Sequence, residues 1–309
     1  MVETGQVLTA ATARPAPWQL SAAGRRARAA TVATALFVGP FLLYVTAFLV
    51  LPALRLLTQA FSGAKGGVTL QYVAELAEPQ VLHAFANSIL LSAFSALVGL
   101  IVGGLTAYFA MGPNAPRGLR SFVTTFSAVA ANFAGVPLAF AFIATLGSLG
   151  MITVWLKQWG IDIYAAGFSL YSLSGMVLVY AYFQIPLMLI VIAPALEGLR
   201  REWREAAENL GASAGDYWRH VGLPILLPSL LSAYILLFGN AFSAYATPYA
   251  LTSGSLALVP IEISNVLSGN VMLAPQTGAA LSIGMIVVMV VVMALYAVIA
   301  RRVNRWGRR

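Results

Sequence analysis

Six apolar stretches, at 31–54, 85–111, 121–149, 170–196, 225–251 and 278–300, are each long enough to cross a bilayer as a helix. A hydrocarbon core of about 30 Å needs about 20 mostly apolar residues. Lipid offers the backbone no hydrogen-bond partner, so a crossing segment must satisfy its own amides, as a helix does. The fold class expected is therefore an all-α membrane protein with six transmembrane helices. Composition excludes the alternatives: 60% of residues are hydrophobic and 9% charged, against about 45–50% and about 25% in a soluble domain. An ordinary soluble enzyme, a disordered chain and a coiled coil are ruled out. The absence of cysteine removes disulfides, thiolate metal sites and cysteine nucleophiles. The first stretch is longer than a signal-peptide core and follows a polar arm, so it is read as a retained span.

Basic residues decide orientation in the membrane. Fifteen of the 18 Lys and Arg lie before the first stretch, between the second and third, between the fourth and fifth, or after the sixth. Arg55, Lys65 and Lys157 fall on the opposite side. Both termini are thus expected in the cytoplasm. Three parts follow: a basic arm at 1–30, a transmembrane domain at 31–303 and a basic tail at 304–309. The net charge of +8 is read as a topology signal, and no nucleic-acid partner is expected. The loops at 62–84, 150–169 and 252–277 fall outside. The first of them carries a short amphipathic helix at 70–76, ended by Pro79. Gly99 and Gly103 form a G-x-x-x-G pattern that permits close helix packing.

The loop at about 198–223 has its own punctuation. Glu197/Arg201, Arg201/Glu205 and Arg204/Glu208 are spaced to pair along one helix. Gly211 supplies a C-terminal stop. Ser213 and Asp216 have capping-box spacing for a second helix, and Leu223-Pro224 closes the loop. Ala206 and Ala207 are small enough for this helix to enter a groove on another protein. From the residues alone, a connecting loop and a docking element both stay open.

The segment Glu205-Ala206-Ala207, three residues, Gly211, nine residues, Val221, one residue, Leu223-Pro224 resembles the EAA loop of ABC importer permeases, with Val221 as the one departure. The chain is similar to the polyamine, opine and phosphonate group of that family, a placement supported by the run from Asn132 through Pro137 to Phe142. The resemblance implies a type I importer permease fold. It also implies the role of transmembrane permease subunit in an ATP-driven, binding-protein-dependent importer of a small polar organic solute, located in the bacterial inner membrane as a multi-pass protein. Glu205, Ala206, Ala207, Gly211, Leu223 and Pro224 would couple to cytoplasmic ATPase subunits, which would bind the ATP and Mg. A second permease subunit, a paralogue, and an extracytoplasmic solute-binding protein are the other implied partners.

The chain has no phosphate-cradling G-x-x-x-x-G-K-[ST] loop. Its two histidines, His83 and His220, lie on opposite sides of the expected membrane. No catalytic residue, metal site or cofactor is expected, and the chain is read as a transport subunit and not an enzyme. Polar groups within spans need partners and so face the bundle interior or a solute path. Asn132, Tyr180, Tyr182, Gln184, Asn240, Ser243 and Tyr245 are the candidate pathway residues, with Pro137, Pro186 and Pro248 expected to interrupt the same spans. The alternative is a secondary transporter or channel without an ATPase partner. Ion-coupled transporters commonly place ionisable residues inside spans, and here the span interiors hold none. That absence also favours a zwitterionic or anionic solute over a polycation on the residues alone.

Overall fold

The computed structural model describes residues 36–63, 67–112, 115–268 and 275–306. The arm at 1–30, Lys65 and the end of the tail lie outside them. Among the described residues, six helical segments are long and apolar enough to cross a membrane. The chain divides at Leu56 and Leu57 into two compact units.

The first unit ends within helix α1, Leu36–Ala60. A π-turn over Thr46–Val50 widens this helix, and Leu51 N–H reaches back to the Thr46 carbonyl. Pro52 follows at once. A proline ring in a helix clashes with the carbonyl four residues back and removes an amide donor, and a locally wider turn relieves both problems.

The second unit holds the remaining helices. These are α2 (Pro79–Met111), α3 (Arg117–Asn132), α4 (Val136–Leu146), α5 (Met151–Gln158) and α6 (Leu173–Glu197). After these come α7 (Arg201–Asn209), α8 (Ala214–Phe242), α9 (Ala246–Thr252), α10 (Val259–Ser268) and α11 (Pro275–Trp306). Pro79 does not merely stop the short helix before it. It forces Glu78 into an extended conformation and occupies the first turn of α2. Span two therefore starts before residue 85, the start expected from the sequence.

Helix α6 is the axis of the bundle. It is apolar all round, as a helix enclosed by others must be, and it packs against α2, α3 and α8. Met176, Val179, Tyr180, Phe183, Met188 and Ile192 along it are buried. Pro186 and Pro194 lie inside the helix without dividing it, so Pro186 does not interrupt span four. The close approach of α2 to α6 depends on glycine: a Cβ on Gly103 would sit 2.6 Å from the Ile185 carbonyl oxygen and 2.7 Å from Met188 Cβ. Gln184, fully buried, donates from Nε2 to the Leu237 carbonyl of α8 at 2.9 Å, tying α6 to α8.

Two expected spans are broken. The stretch at 121–149 is two helices, α3 and α4, separated at Phe133–Gly135, where Gly135 takes φ 74°. A positive φ suits glycine, and Pro137 then starts α4 in its first turn. The continuous apolar length falls on Val136–Gln158 instead, across a bend near Gly147. The stretch at 225–251 is α8 and α9, separated at residues 243–245. The described residues of the loops at 150–169 and 252–277 include two further helices. These are α5 and α10, and Val259 of α10 donates its N–H to buried Ser88 of α2 at 2.9 Å.

Gly103→Leu places branched carbon against backbone that cannot retreat. We expect a loss of about 1–3 kcal/mol from overpacking, read as a lower unfolding temperature of the detergent-solubilised chain. Gly104→Ala, whose Cβ would meet only Met188 Cε at 3.7 Å, should be near neutral.

Candidate functional site: a capped loop and a face of broken helices

The loop after α6 folds as helix, glycine, helix. Arg201–Glu205 and Arg204–Glu208 pair at 3.0 and 2.9 Å along α7. The Glu208 carboxylate also raises the pKa of exposed Arg204 further above its ordinary value, through a hydrogen bond and charge attraction. The expected Glu197/Arg201 pair does not form. Arg200 is extended between the two helices, so the i,i+4 geometry is lost, and Glu197 pairs instead with Arg120 at the start of α3.

Helix α7 ends in a Schellman motif. Gly211 has φ 79°, its N–H bonds to the Glu208 carbonyl at 2.9 Å, and Ala212 N–H bonds to the Ala207 carbonyl at 3.0 Å. The capping box then forms in both directions. Ser213 Oγ accepts from Asp216 N–H at 3.2 Å, and the Asp216 carboxylate accepts from Ser213 N–H at 3.1 Å. Glu205, Ala206 and Gly211 are exposed, and Ala207 is partly so.

Leu223-Pro224 does not end the loop. Helix α8 starts at Ala214 and runs without interruption into the span, through a π-turn over Trp218–Gly222 in which Leu223 N–H reaches the Trp218 carbonyl. This repeats the solution seen before Pro52. At 29 residues, α8 is about 44 Å of continuous helix at about 1.5 Å per residue. Its first turns are anchored where Trp218 meets Tyr108 of α2 edge-on, ring centroids 5.0 Å apart. Sequence reasoning passed over Leu210, which stands at the end of α7 with 87% of its surface exposed. An apolar side chain beside a helix-stopping glycine was the signal available.

The second feature is the meeting of the two breaks. Gly135 N–H donates to Thr247 Oγ1 at 2.9 Å, and the same hydroxyl reaches the Gly135 carbonyl at 3.4 Å. Thr247 is buried, and Gly135 Cα closes on Ala246 so nearly that an added Cβ would touch its methyl at 3.7 Å. Around this joint lie aromatic rings. Tyr182 meets Phe133 and Phe142 edge-on, at 6.1 and 6.0 Å. Tyr245 lies 5.1 Å from Tyr249, and its hydroxyl accepts from Ser264 at 2.8 Å.

The candidate pathway residues divide here. Asn132, Tyr182, Asn240 and Ser243 are exposed and Tyr245 is partly so, and all stand on or beside the broken helices. Tyr180 and Gln184 are sealed in the interior. The Tyr180 hydroxyl and Gln184 Oε1 have no hydrogen-bond partner there. Asn132 turns its amide back to the Ala128 carbonyl at 2.8 Å. Among the described residues no group of His, Asp and Glu is arranged to hold a metal ion.

A multi-span helical protein with a capped helix–glycine–helix loop is the class that fold and site define. Residues 99–305 match the binding-protein-dependent transport system inner membrane component family, and the chain belongs to that family. It is therefore an ABC importer permease subunit and a multi-pass inner-membrane protein. It is 28% identical over 213 residues to the sulfate transport system permease protein CysW of Escherichia coli K12, covering 69% of each chain. It is 25% identical over 275 residues to the spermidine/putrescine transport system permease protein PotC of Haemophilus influenzae, covering 85% of this chain and 96% of that one. In fold it is similar to a chain of a bacterial ABC transporter that imports the acidic polysaccharide alginate. The TM-score is 0.70 at 18% identity, over 90% of this chain and 98% of that one.

Thr247→Val keeps the shape of the side chain and removes both links to Gly135. The expected loss is about 1–3 kcal/mol, the cost of leaving a part-buried amide unpaired. It should appear as a lower unfolding temperature with faster amide exchange at residues 133–136. Thr247→Ser should retain most of the link.

Proposed function

We propose that α7 is the element through which ATPase subunits drive this permease, and that the face carrying the two helix breaks lines the solute path. The single observation behind the coupling role is the continuity of α8. One rigid helix joins the capped, exposed loop at one end to the break at 243–245 at the other. A displacement of α7 is passed through the Schellman turn and capping box into α8 and delivered at the broken face, with no flexible segment to absorb it. Glu205, Ala206, Ala207 and Gly211 present the docking surface, with Leu210 as an apolar anchor beside them. Leu223 and Pro224 set the π-turn that carries the helix past the proline. On this reading the loop and both termini are cytoplasmic.

The exposed side near the two breaks carries Asn132, Asn240 and Ser243 among Phe133, Val136, Phe140 and Tyr249, and its amides and hydroxyls disfavour a face turned wholly to lipid. A second permease subunit, a paralogue, covers this side, and the solute passes between the two. A solute-binding protein delivers the cargo from outside. The cargo is a small polar organic solute of the opine, phosphonate or polyamine kind. Anionic and zwitterionic members are favoured because the candidate pathway residues at the breaks are amide, hydroxyl and aromatic groups, with Glu262 of α10, among the described residues, as the one acid close to the outer end of the path. The likeness to a sulfate permease supports that preference, and the likeness to a spermidine/putrescine permease supports the opposite one.

One experiment addresses both parts. Gly211→Pro, Glu205→Lys and Leu210→Asp should each leave the chain in the membrane while uptake falls at least about tenfold and the ATPase no longer co-purifies, since misplaced charge at an interface costs several kcal/mol. Normal transport by all three would remove the coupling role. Uptake of a labelled aminoalkylphosphonate exceeding that of spermidine is the expected ranking, and the reverse ranking would overturn the charge argument.

A further inference from the structure

Where α2, α6 and α7 meet, a cleft of about 420 Å³ opens beside the coupling loop. Arg120, Arg200, Arg201 and Arg204 line it, against the single carboxylate of Glu197. We propose that this cleft binds the phosphate of an acidic phospholipid headgroup. The inference goes beyond the transport reading and stands whether or not α7 docks an ATPase, because it needs only that the chain sits in a membrane.

Four observations carry it. First, the charge is unbalanced. Arg201 and Arg204 each give Nε to Glu205 and Glu208, and those carboxylates are not part of the cleft wall. The terminal nitrogens of both guanidinium forks stay available to a ligand, and the fork geometry of arginine matches a phosphate in bidentate fashion. Second, the depth is right. The cleft floor is the last turn of α2, at Tyr108 and Met111, and the last turn of α6, at Leu196 and Glu197. Two spans end there, which is the level of the headgroups. Third, one wall is aromatic: Tyr108 and Trp218 stand edge-on at 5.0 Å, and amphipathic rings of this kind concentrate at the membrane–water boundary. Fourth, Met111 and Leu196 continue the cleft with apolar surface, which suits a glycerol backbone and the start of acyl chains and serves no purpose for a free anion. Basic pockets between transmembrane helices are a recognised setting for anionic headgroups.

The cleft is separate from the solute path. Arg120 and Asn132 stand at opposite ends of α3, 12 residues apart, or about 18 Å along the helix. A phosphate seated here would bind the start of α3 to the base of α7, reinforcing the link that Arg120 and Glu197 already make.

The test uses the full-length chain in nanodiscs of phosphatidylcholine with or without phosphatidylglycerol, and native mass spectrometry of the lipid retained after detergent exchange. Phosphatidylglycerol should be retained about tenfold over phosphatidylcholine, as charge-assisted bidentate bonds favour the anionic lipid. Arg200→Gln combined with Arg204→Gln should remove most of that preference. Arg200→Lys combined with Arg204→Lys should give an intermediate value, since lysine keeps the charge and loses the fork. Equal retention of the two lipids by the wild-type chain overturns the proposal, and this comparison needs no variant. Lysine variants that match wild type would show diffuse charge attraction and no built site. Displacement of the lipid by millimolar inorganic phosphate would assign the cleft to a free anion. Loss of the lipid when the ATPase binds would assign the arginines to a partner's carboxylates.

Discussion

The hydrogen bond from Gly135 N–H to Thr247 Oγ1 is the constraint around which the transmembrane unit is arranged. In hydrocarbon an unpaired peptide group has no water to turn to, so a helix can break at membrane depth only where other protein groups or a wetted cavity replace the lost bonds. Here two helices break, and Thr247, just beyond the second break, pairs with the backbone of the first. Placing Gly135 against Thr247 brings α4 onto α9, which in turn seats Leu138, Ala139 and Leu251 in one buried cluster with Tyr180 and Phe183 of α6. The same arrangement leaves polar and aromatic residues of both breaks on an outward face. The cost of irregular backbone in lipid is thus offset by this joint.

The loop that carries α7 obeys a different logic. It lies where water is available, so its stiffness has to come from local geometry. Caps, the Schellman turn and two ion pairs hold α7 and the start of α8, and surface ion pairs alone would contribute little. What joins the loop to the span is the π-turn at Trp218–Gly222. A proline two residues beyond it would otherwise kink the helix and uncouple the loop from the span. The widened turn accommodates the ring and preserves a single rod. The same device precedes Pro52 in α1, each time at a Leu-Pro step.

Much of this was legible in the sequence because it rests on local rules. Apolar length identified six spans, and Gly211, Ser213 and Asp216 marked the helix stop and start that the structure shows. What the residues hid depends on tertiary contact. Pro137 marks an interruption of the stretch at 121–149, but nothing local to Asn132–Gly135 shows that Thr247, more than a hundred residues away, will pair with the freed backbone. Pro186 reads as a break and is none, since it lies buried on the face of α6 that packs against its neighbours and the helix continues past it. Glu197 reads as a partner of Arg201, and the extended Arg200 hands it to Arg120. Tyr180 and Gln184 share the polar character of the other pathway candidates, yet they occupy the face of α6 turned into the core, which composition cannot distinguish from the face turned out.

The claim on which the account depends is that α7 meets an ATPase and transmits its motion. The chain contains no cysteine, so a single Ala206→Cys substitution gives an unambiguous probe in the assembled importer, paired with single cysteines in the groove of the ATPase. The account predicts a crosslink that forms in high yield and changes partner position when ATP is bound and hydrolysed, together with protection of Ala206→Cys from a membrane-impermeant thiol reagent applied outside intact cells. Labelling of that cysteine from outside, or a crosslink yield indifferent to assembly with the ATPase, would contradict it.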